Sequence, residues 1–219
     1  MSTGLTKEEV NRKLLHGVAV VLPIGIFYIP MLTDQTRFLV MWLVFLLFLV
    51  SLLIDGLRLK KKRVNIIFSH YLGSMMRSAE SNQLTGATYV VAGSLICSGL
   101  SLISESFAAS AFIGLTLFIL GDAAAAIVGK GIGRVKIGDK TLEGALGCFI
   151  FCFLLSYFVF PIVPQFLNCW GAGLTLQASV MVSASVALLE LFPIRCGNLT
   201  VNDNLYVPGL VSLFAWFIS

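Results

Sequence analysis

Asp122 interrupts a long apolar run, within Leu120-Gly121-Asp122-Ala123-Ala124. A glycine-rich basic stretch follows, Gly129-Lys130-Gly131-Ile132-Gly133-Arg134. Lys140-Thr141-Leu142-Glu143-Gly144 then opens the next apolar run. An ionised carboxylate at membrane depth is expensive, so it takes a partner and generally marks a functional site. A carboxylate, several lysines and a loop poor in side chains together suit a metal-bound polyphosphate. Asp122 is therefore the leading candidate metal ligand and catalytic residue. The competing reading is a buried ion pair with Arg12, Lys13 or Arg77. Gly129 lies two helical turns beyond Asp122 and shares its face. Gly121, Gly129, Gly131 and Gly133 are expected to leave backbone N–H groups open to phosphate.

Other residues extend the set. Arg12-Lys13-x-x-His16 places Arg12 and His16 one helical turn apart, and an imidazole at membrane depth is uncommon. Lys140 and Thr141 precede a helix start, where the dipole favours anions. Glu80 precedes Ser81-Asn82-Gln83-Leu84-Thr85, which reads equally as helix capping or as part of a site. Asn202-Asp203-Asn204 offers three oxygen-bearing side chains, as a cap or as metal and nucleotide contacts. Gly133 to Thr141 imitates a P-loop, but Asp139 is inserted before Lys140 and an apolar helix, not a strand, precedes it. The sequon Asn198-Leu199-Thr200 falls on the expected cytoplasmic side and is discounted. The five cysteines show no C-x-x-C spacing and no histidine neighbours, and read as core thiols.

The elements that must position these residues are apolar helices. Of 219 residues, 58% are hydrophobic and 12% charged, the composition of an integral membrane protein. The expected fold is all-α, a polytopic transmembrane bundle in one domain, 1–219. About seven spans are expected, near 14–32, 38–55, 84–104, 107–129, 142–163, 173–192 and 204–219. Pro23 and Pro30 predict a kink in the first. Those boundaries put fourteen of the fifteen Lys and Arg on one side, with Arg37 alone opposite. By the positive-inside rule the N-terminus is cytoplasmic. Asp55, Glu80, Asp122, Asp139, Glu143, Glu190 and Asp203 gather at that face, while Asp34 and Glu105 face away. The N-terminus mixes acids and bases and does not read as a cleavable signal. Residues 56–83 predict an amphipathic helix in the headgroup layer, with Lys60 to Arg63 attracted to anionic lipid.

Taken in order, these motifs resemble one family. Arg12-Lys13-x-x-His16, Glu80 with Leu84-Thr85-Gly86-Ala87-Thr88, and Gly121-Asp122 with Gly129 carry the first half. Lys140-Thr141-Leu142-Glu143-Gly144, Glu190, and Asp203-Asn204-Leu205-x-Val207-Pro208 carry the second. The chain resembles the CTP-dependent polyprenol, phytol and diacylglycerol kinases, which include dolichol kinase and are distantly related to phosphatidate cytidylyltransferases. Two departures stand out. Lys140-Thr141 replaces a more usual Lys-Ser, and residues 195–201 lengthen the path from Glu190 to Asp203.

The resemblance implies transfer of the CTP γ-phosphoryl group to a lipid hydroxyl with Mg²⁺. Its motifs fall on Arg12, Lys13, Asp122, Gly129, Lys140, Glu143, Asp203 and Asn204. Asp122 and Asp203 are then the metal ligands, with Asn204 beside them. Arg12, Lys13, Gly129, Lys130, Lys140, Thr141 and Asn204 bind nucleotide. Glu143, Glu80 and His16 all stay open as the general base. The expected partners are CTP, a lipid alcohol and membrane lipids, with no nucleic acid, in a bacterial inner membrane or an organellar one such as the endoplasmic reticulum. The lipid and the oligomeric state are not readable. The alternatives are a cytidylyltransferase making CDP-diacylglycerol, whose usual signature is missing, and a transporter, which would spread its acids through membrane depth.

Overall fold

Proline and capping residues account for most helix boundaries. The computed structural model describes residues 7–33, 35–73, 78–171, 173–196 and 199–219. Arg77, Asp34 and Asn198, which entered the sequence argument, lie outside the described residues.

The first apolar run is two helices, α1 (Lys7–Val18) and α2 (Val21–Thr33). Pro23 explains the break, because it has no N–H to offer the carbonyl of Ala19 four residues earlier. That carbonyl accepts from the Leu22 N–H instead, at 2.9 Å. Pro30 sits inside α2 without ending it. Helix α3 (Arg37–Lys60) starts where the Thr36 side chain accepts from the Leu39 N–H. It presents Leu43, Leu46 and Leu53 outward, each at least half exposed, as a lipid-facing helix does. Helix α4 (Lys62–Leu72) buries none of its residues. This is the helix expected within 56–83, with Ile66, Ile67 and Tyr71 exposed.

A 3-10 turn over Ser78–Asn82 leads to α5 (Gly86–Leu100), capped by Thr85. Helix α6 (Glu105–Ile132) follows, capped by Ser104. It is the hub of the core, with Ile113, Leu117 and Ile119 fully buried. A hairpin of β1 (Lys136–Ile137) and β2 (Lys140–Thr141) pairs Ile137 with Lys140, and Gly138 supplies the positive φ of its turn. Helix α7 (Leu142–Leu154) continues through wider turns to Ile162. Then come α8 (Phe166–Trp170), α9 (Leu176–Leu191), a hairpin of β3 (Arg195–Cys196) and β4 (Leu199–Thr200), and α10 (Asp203–Phe217).

Small residues let the helices approach closely. A Cβ on Gly114 of α6 would lie 2.6 Å from the Ser212 Oγ of α10. A Cβ on Gly121 would lie 2.7 Å from the Cys152 sulfur of α7. Such contacts suit helix association in lipid, where hydrophobicity itself does not drive it. Cys97, Cys148 and Cys152 are buried free thiols, as their apolar setting implied.

Four stretches are long and apolar enough to cross a membrane: Asn11–Thr33 (α1 with α2), Arg37–Lys60, Glu105–Ile132 and Leu142–Ile162. Gly86–Leu100 and Leu176–Leu191 are shorter apolar helices. The chain is therefore built as an all-α integral membrane protein. Arg37 and Glu105, two of the three charges sorted away from the rest, pair with each other across α3 and α6.

Candidate functional site

Two ion-pair clusters gather the candidate residues. In the first, α1 lies along α6 and brings Lys13 and His16 to Asp122. The Lys13 Nζ is 2.5 Å from Asp122 Oδ2 and donates to the Asp122 carbonyl at 3.2 Å. His16 Nε2 is 3.3 Å from the same Oδ2. Among the described residues no hydrogen bond reaches Oδ1. The ion-pair reading of Asp122 is thus realised with Lys13. That does not remove Asp122 from chemistry, because among the described residues both contacts fall on one carboxylate oxygen. Asp122 lies ten residues before the end of α6, about 15 Å of helix, so the cluster is recessed rather than at the helix tip.

In the second cluster the two hairpins do the positioning. Strand β2 holds Lys140, whose Nζ is 2.8 Å from Glu190 Oε1 of α9 and 3.0 Å from Asp203 Oδ2 of α10. Lys140 also donates to the Glu190 carbonyl. The β3–β4 hairpin absorbs the extra residues 195–201, so Glu190 and Asp203 still reach one lysine. Burial alone would push the Lys140 ammonium down, but the Asp203 and Glu190 carboxylates hold it above the ordinary lysine range. Both Asp122 and Asp203 lie close enough to repel the Glu190 carboxylate, so the two clusters share one electrostatic field.

A cavity of about 520 Å³ opens beside the first cluster. Arg12, Lys13, His16, Glu80, Asp122 and Asn204 supply its polar lining. Leu22, Leu47, Phe68, Leu72, Val90 and Val91 supply apolar wall. Glu80 Oε1 accepts from the Gly86 N–H at 3.3 Å, while Asn204 Nδ2 donates to the Gly86 carbonyl at 3.4 Å. Those two side chains therefore hold the peptide groups on either side of Gly86, at the start of α5.

Several expected residues sit elsewhere. Both Glu143 oxygens accept from the Val135 N–H, at 3.1 and 3.2 Å, closing the β1–β2 hairpin. Glu143 does not line the cavity. Thr141 caps α7, its Oγ1 accepting from the Gly144 N–H at 3.1 Å. Lys130 is exposed in the last turn of α6. The glycine expectation needs correcting. Gly121, Gly129 and Gly131 lie inside α6, where backbone N–H groups serve the helix ladder and not a phosphate. Gly129 instead makes room for α7, since a Cβ there would lie 2.7 Å from Thr141 Oγ1. The hairpin also bears out the rejection of a P-loop.

Sequence reasoning missed one element. Arg58 looked like an ordinary topology-setting charge, yet it and Asp55 are each only 1% exposed. Arg58 Nε donates to Asp55 Oδ1 at 3.1 Å, Nη1 to the Glu80 carbonyl at 2.8 Å and Nη2 to the Gln83 carbonyl at 2.6 Å. Asp55 Oδ2 accepts from the Thr85 N–H at 2.8 Å, Thr85 Oγ1 at 3.0 Å and Thr88 Oγ1 at 2.8 Å. The pair fixes the segment that carries Glu80. Its sequence signal was available: an acid and an arginine three apart inside a span's end, with two threonines at the next helix start.

Among the described residues no three His, Cys, Asp or Glu side chains form a ready metal cage. Mg²⁺ does not need one, since one or two carboxylates plus substrate phosphates suffice. The Asp122 carboxylate and the carboxylates around Lys140 are a donor set of the right hardness for that ion.

No family model and no solved structure matches the chain. Among curated proteins it is 26% identical over 232 residues to CTP-dependent diacylglycerol kinase 1 of Saccharomyces cerevisiae, covering 96% of this chain and 73% of that protein. An uncharacterized protein of Rickettsia prowazekii is 23% identical over 202 residues, covering 91% of this chain and 89% of its own. An uncharacterized protein of Methanocaldococcus jannaschii is 30% identical over 147 residues, covering 67% and 64% respectively. The chain is a distant homologue of a CTP-dependent lipid kinase.

Proposed function

We propose that this protein transfers the γ-phosphoryl group of CTP to the hydroxyl of a membrane lipid alcohol at the cytoplasmic face. The observation that carries the reading is the convergence of Lys13, His16, Asp122, Lys140, Glu190 and Asp203 into two linked clusters in an apolar bundle. Phosphoryl transfer asks mainly for positioning and charge neutralisation, and a set of lysines and carboxylates supplies both. The similarity to a kinase whose name specifies CTP and diacylglycerol supports the nucleotide and the acceptor class.

In this reading the lipid oxygen attacks the γ-phosphorus. The bond to the β–γ bridging oxygen breaks, and CDP leaves with the electron pair. Lys140 and Lys13 hold phosphate oxygens. Asp122 and Asp203 would hold Mg²⁺, which when bound offsets charge on the phosphates. Glu80 takes the hydroxyl proton: it lines the cavity, and the Gly86 N–H and the Arg58 contact to its own carbonyl fix its place. His16 is turned to Asp122, and Glu143 is engaged at the hairpin. Seven spans with a cytoplasmic N-terminus complete the proposal, because the basic residues then fall on the clusters' side.

Product analysis tests the reaction. A kinase releases CDP and leaves a lipid phosphate. Release of pyrophosphate with formation of a CDP-lipid would instead make the protein a cytidylyltransferase.

A further inference from the structure

We propose that the cavity bounded by α1, α3, α4 and α5 is the acceptor pocket for the lipid alcohol, and that the nucleotide sits outside it, on the Lys140–Glu190–Asp203 side of Asp122. The proposal deepens the lipid-kinase reading and rests on it. Three observations carry it. First, the cavity is two-faced. Asp122, His16 and Glu80 are among its polar lining, while Leu22, Leu47, Phe68 and Val90 are among its apolar walls. In a nucleoside triphosphate only the faces of the base suit aliphatic walls and the triphosphate does not, whereas a lipid alcohol has one hydroxyl and a long apolar remainder.

Second, its opening faces the surface that lipid would cover. Val18, Leu47 and Leu72 line the cavity and are also 64%, 43% and 37% exposed, so apolar side chains of its wall reach the outer surface. The volume, about 520 Å³, is that of a small-molecule pocket. It holds the alcohol head and the first part of a chain, and the remainder leaves sideways between α1 and α3.

Third, the charges are divided. Lys140, Glu190 and Asp203 do not line the cavity, yet Lys140 acts on Asp122 through space. Asp122 is then the partition, standing where acceptor and donor meet.

Photolabelling of the full-length protein in detergent or nanodiscs tests the assignment. The probes are a diacylglycerol and a polyprenol, each bearing a diazirine in the chain, and a 5-azido-CTP. Peptides carrying Leu22, Leu47 or Val90 are expected to take the lipid probes, and those carrying Lys140 or Asp203 the nucleotide. Labelling by one lipid probe alone would name the acceptor class. In parallel, Leu47→Trp fills the cavity from its half-exposed side. It is expected to raise the apparent KM for the lipid alcohol roughly tenfold or more while leaving that for CTP within about twofold. Leu46→Trp, on the same helix but outside the cavity, is the control and should change neither.

Nucleotide label on the cavity peptides, or lipid label confined to other helices, overturns the assignment even if CTP-dependent kinase activity is found. Lipid label on the cavity without any phosphoryl transfer from CTP leaves the pocket standing and overturns the kinase reading.

Discussion

Asp55 and Asp122 are both carboxylates withdrawn from water, with 2% and 14% of the side chain exposed, and the protein uses them in opposite ways. Asp55 Oδ2 accepts three hydrogen bonds from threonines and Oδ1 accepts from Arg58. Arg58 in turn spends its remaining donors on two carbonyls. Both carboxylate oxygens and all three guanidinium nitrogens are engaged within the protein, which leaves a ligand little to gain there. Asp122 concentrates Lys13 and His16 on one oxygen and leaves the other without a hydrogen bond among the described residues, against a cavity. A saturated buried pair holds structure, whereas an unsaturated one facing open volume is available to chemistry. Burial alone would not have separated them.

Substitutions sharpen that contrast. Asp122→Asn keeps the shape and removes the charge. It is expected to lower kcat by about 10³-fold, as loss of one preorganised electrostatic group does, with the protein still monodisperse on size exclusion. Arg58→Met leaves Asp55 buried and unpaired, which costs roughly 3–5 kcal/mol. A large drop in melting temperature should accompany it, and the activity of the surviving folded fraction should fall less than for Asp122→Asn. If Arg58→Met proves stable and Asp122→Asn unfolds, the contrast is inverted and fails.

How far the sequence led can be judged on the same residues. The helices were legible because apolar runs and caps are local signals. Runs near 38–55 and 107–129 became Arg37–Lys60 and Glu105–Ile132, and Thr85 caps where a capping side chain was expected, while Thr141, expected at phosphate, also caps. The membership of the clusters was partly legible. Lys13, His16 and Asp122 were singled out, but the choice of Lys13 over Arg12 as the close partner depends on how α1 lies on α6. Arg58 was misread because positive charges at a span's end usually set topology, and only the packing of α5 reveals its partners. Gly129 was misread because a glycine that opens a loop and one that admits a neighbouring helix look alike in sequence. The two hairpins, each with strands of two residues, leave no periodic pattern to read.

Smaller effects test the finer assignments. Glu80→Gln should lower kcat about 10²-fold, the usual worth of a positioned acid–base group. Glu143→Gln should cost less than a few-fold, since its carboxylate only ties the hairpin to Val135. Equal losses would return Glu143 to the list of general bases.

The pH response of Lys140 carries a sign. Its ammonium is held above the ordinary lysine range by Asp203 and Glu190, so the lysine keeps its charge at every pH below about 10.4, and on the alkaline side its ion pairs weaken only as pH climbs through the raised value. The apparent KM for CTP should therefore stay flat from neutral pH to about pH 9. Lys140→Gln should raise that KM and abolish any alkaline rise.

One measurement bears on the whole account. Purified protein, Mg²⁺ and γ-labelled CTP are incubated with a panel of diacylglycerol, phytol, farnesol and a longer polyprenol, beside Asp122→Asn. Label should move into the organic phase as a lipid phosphate with at least one alcohol, and the variant should not move it. Absence of label from every lipid, or equal transfer by Asp122→Asn, contradicts a CTP-dependent lipid kinase built around Asp122.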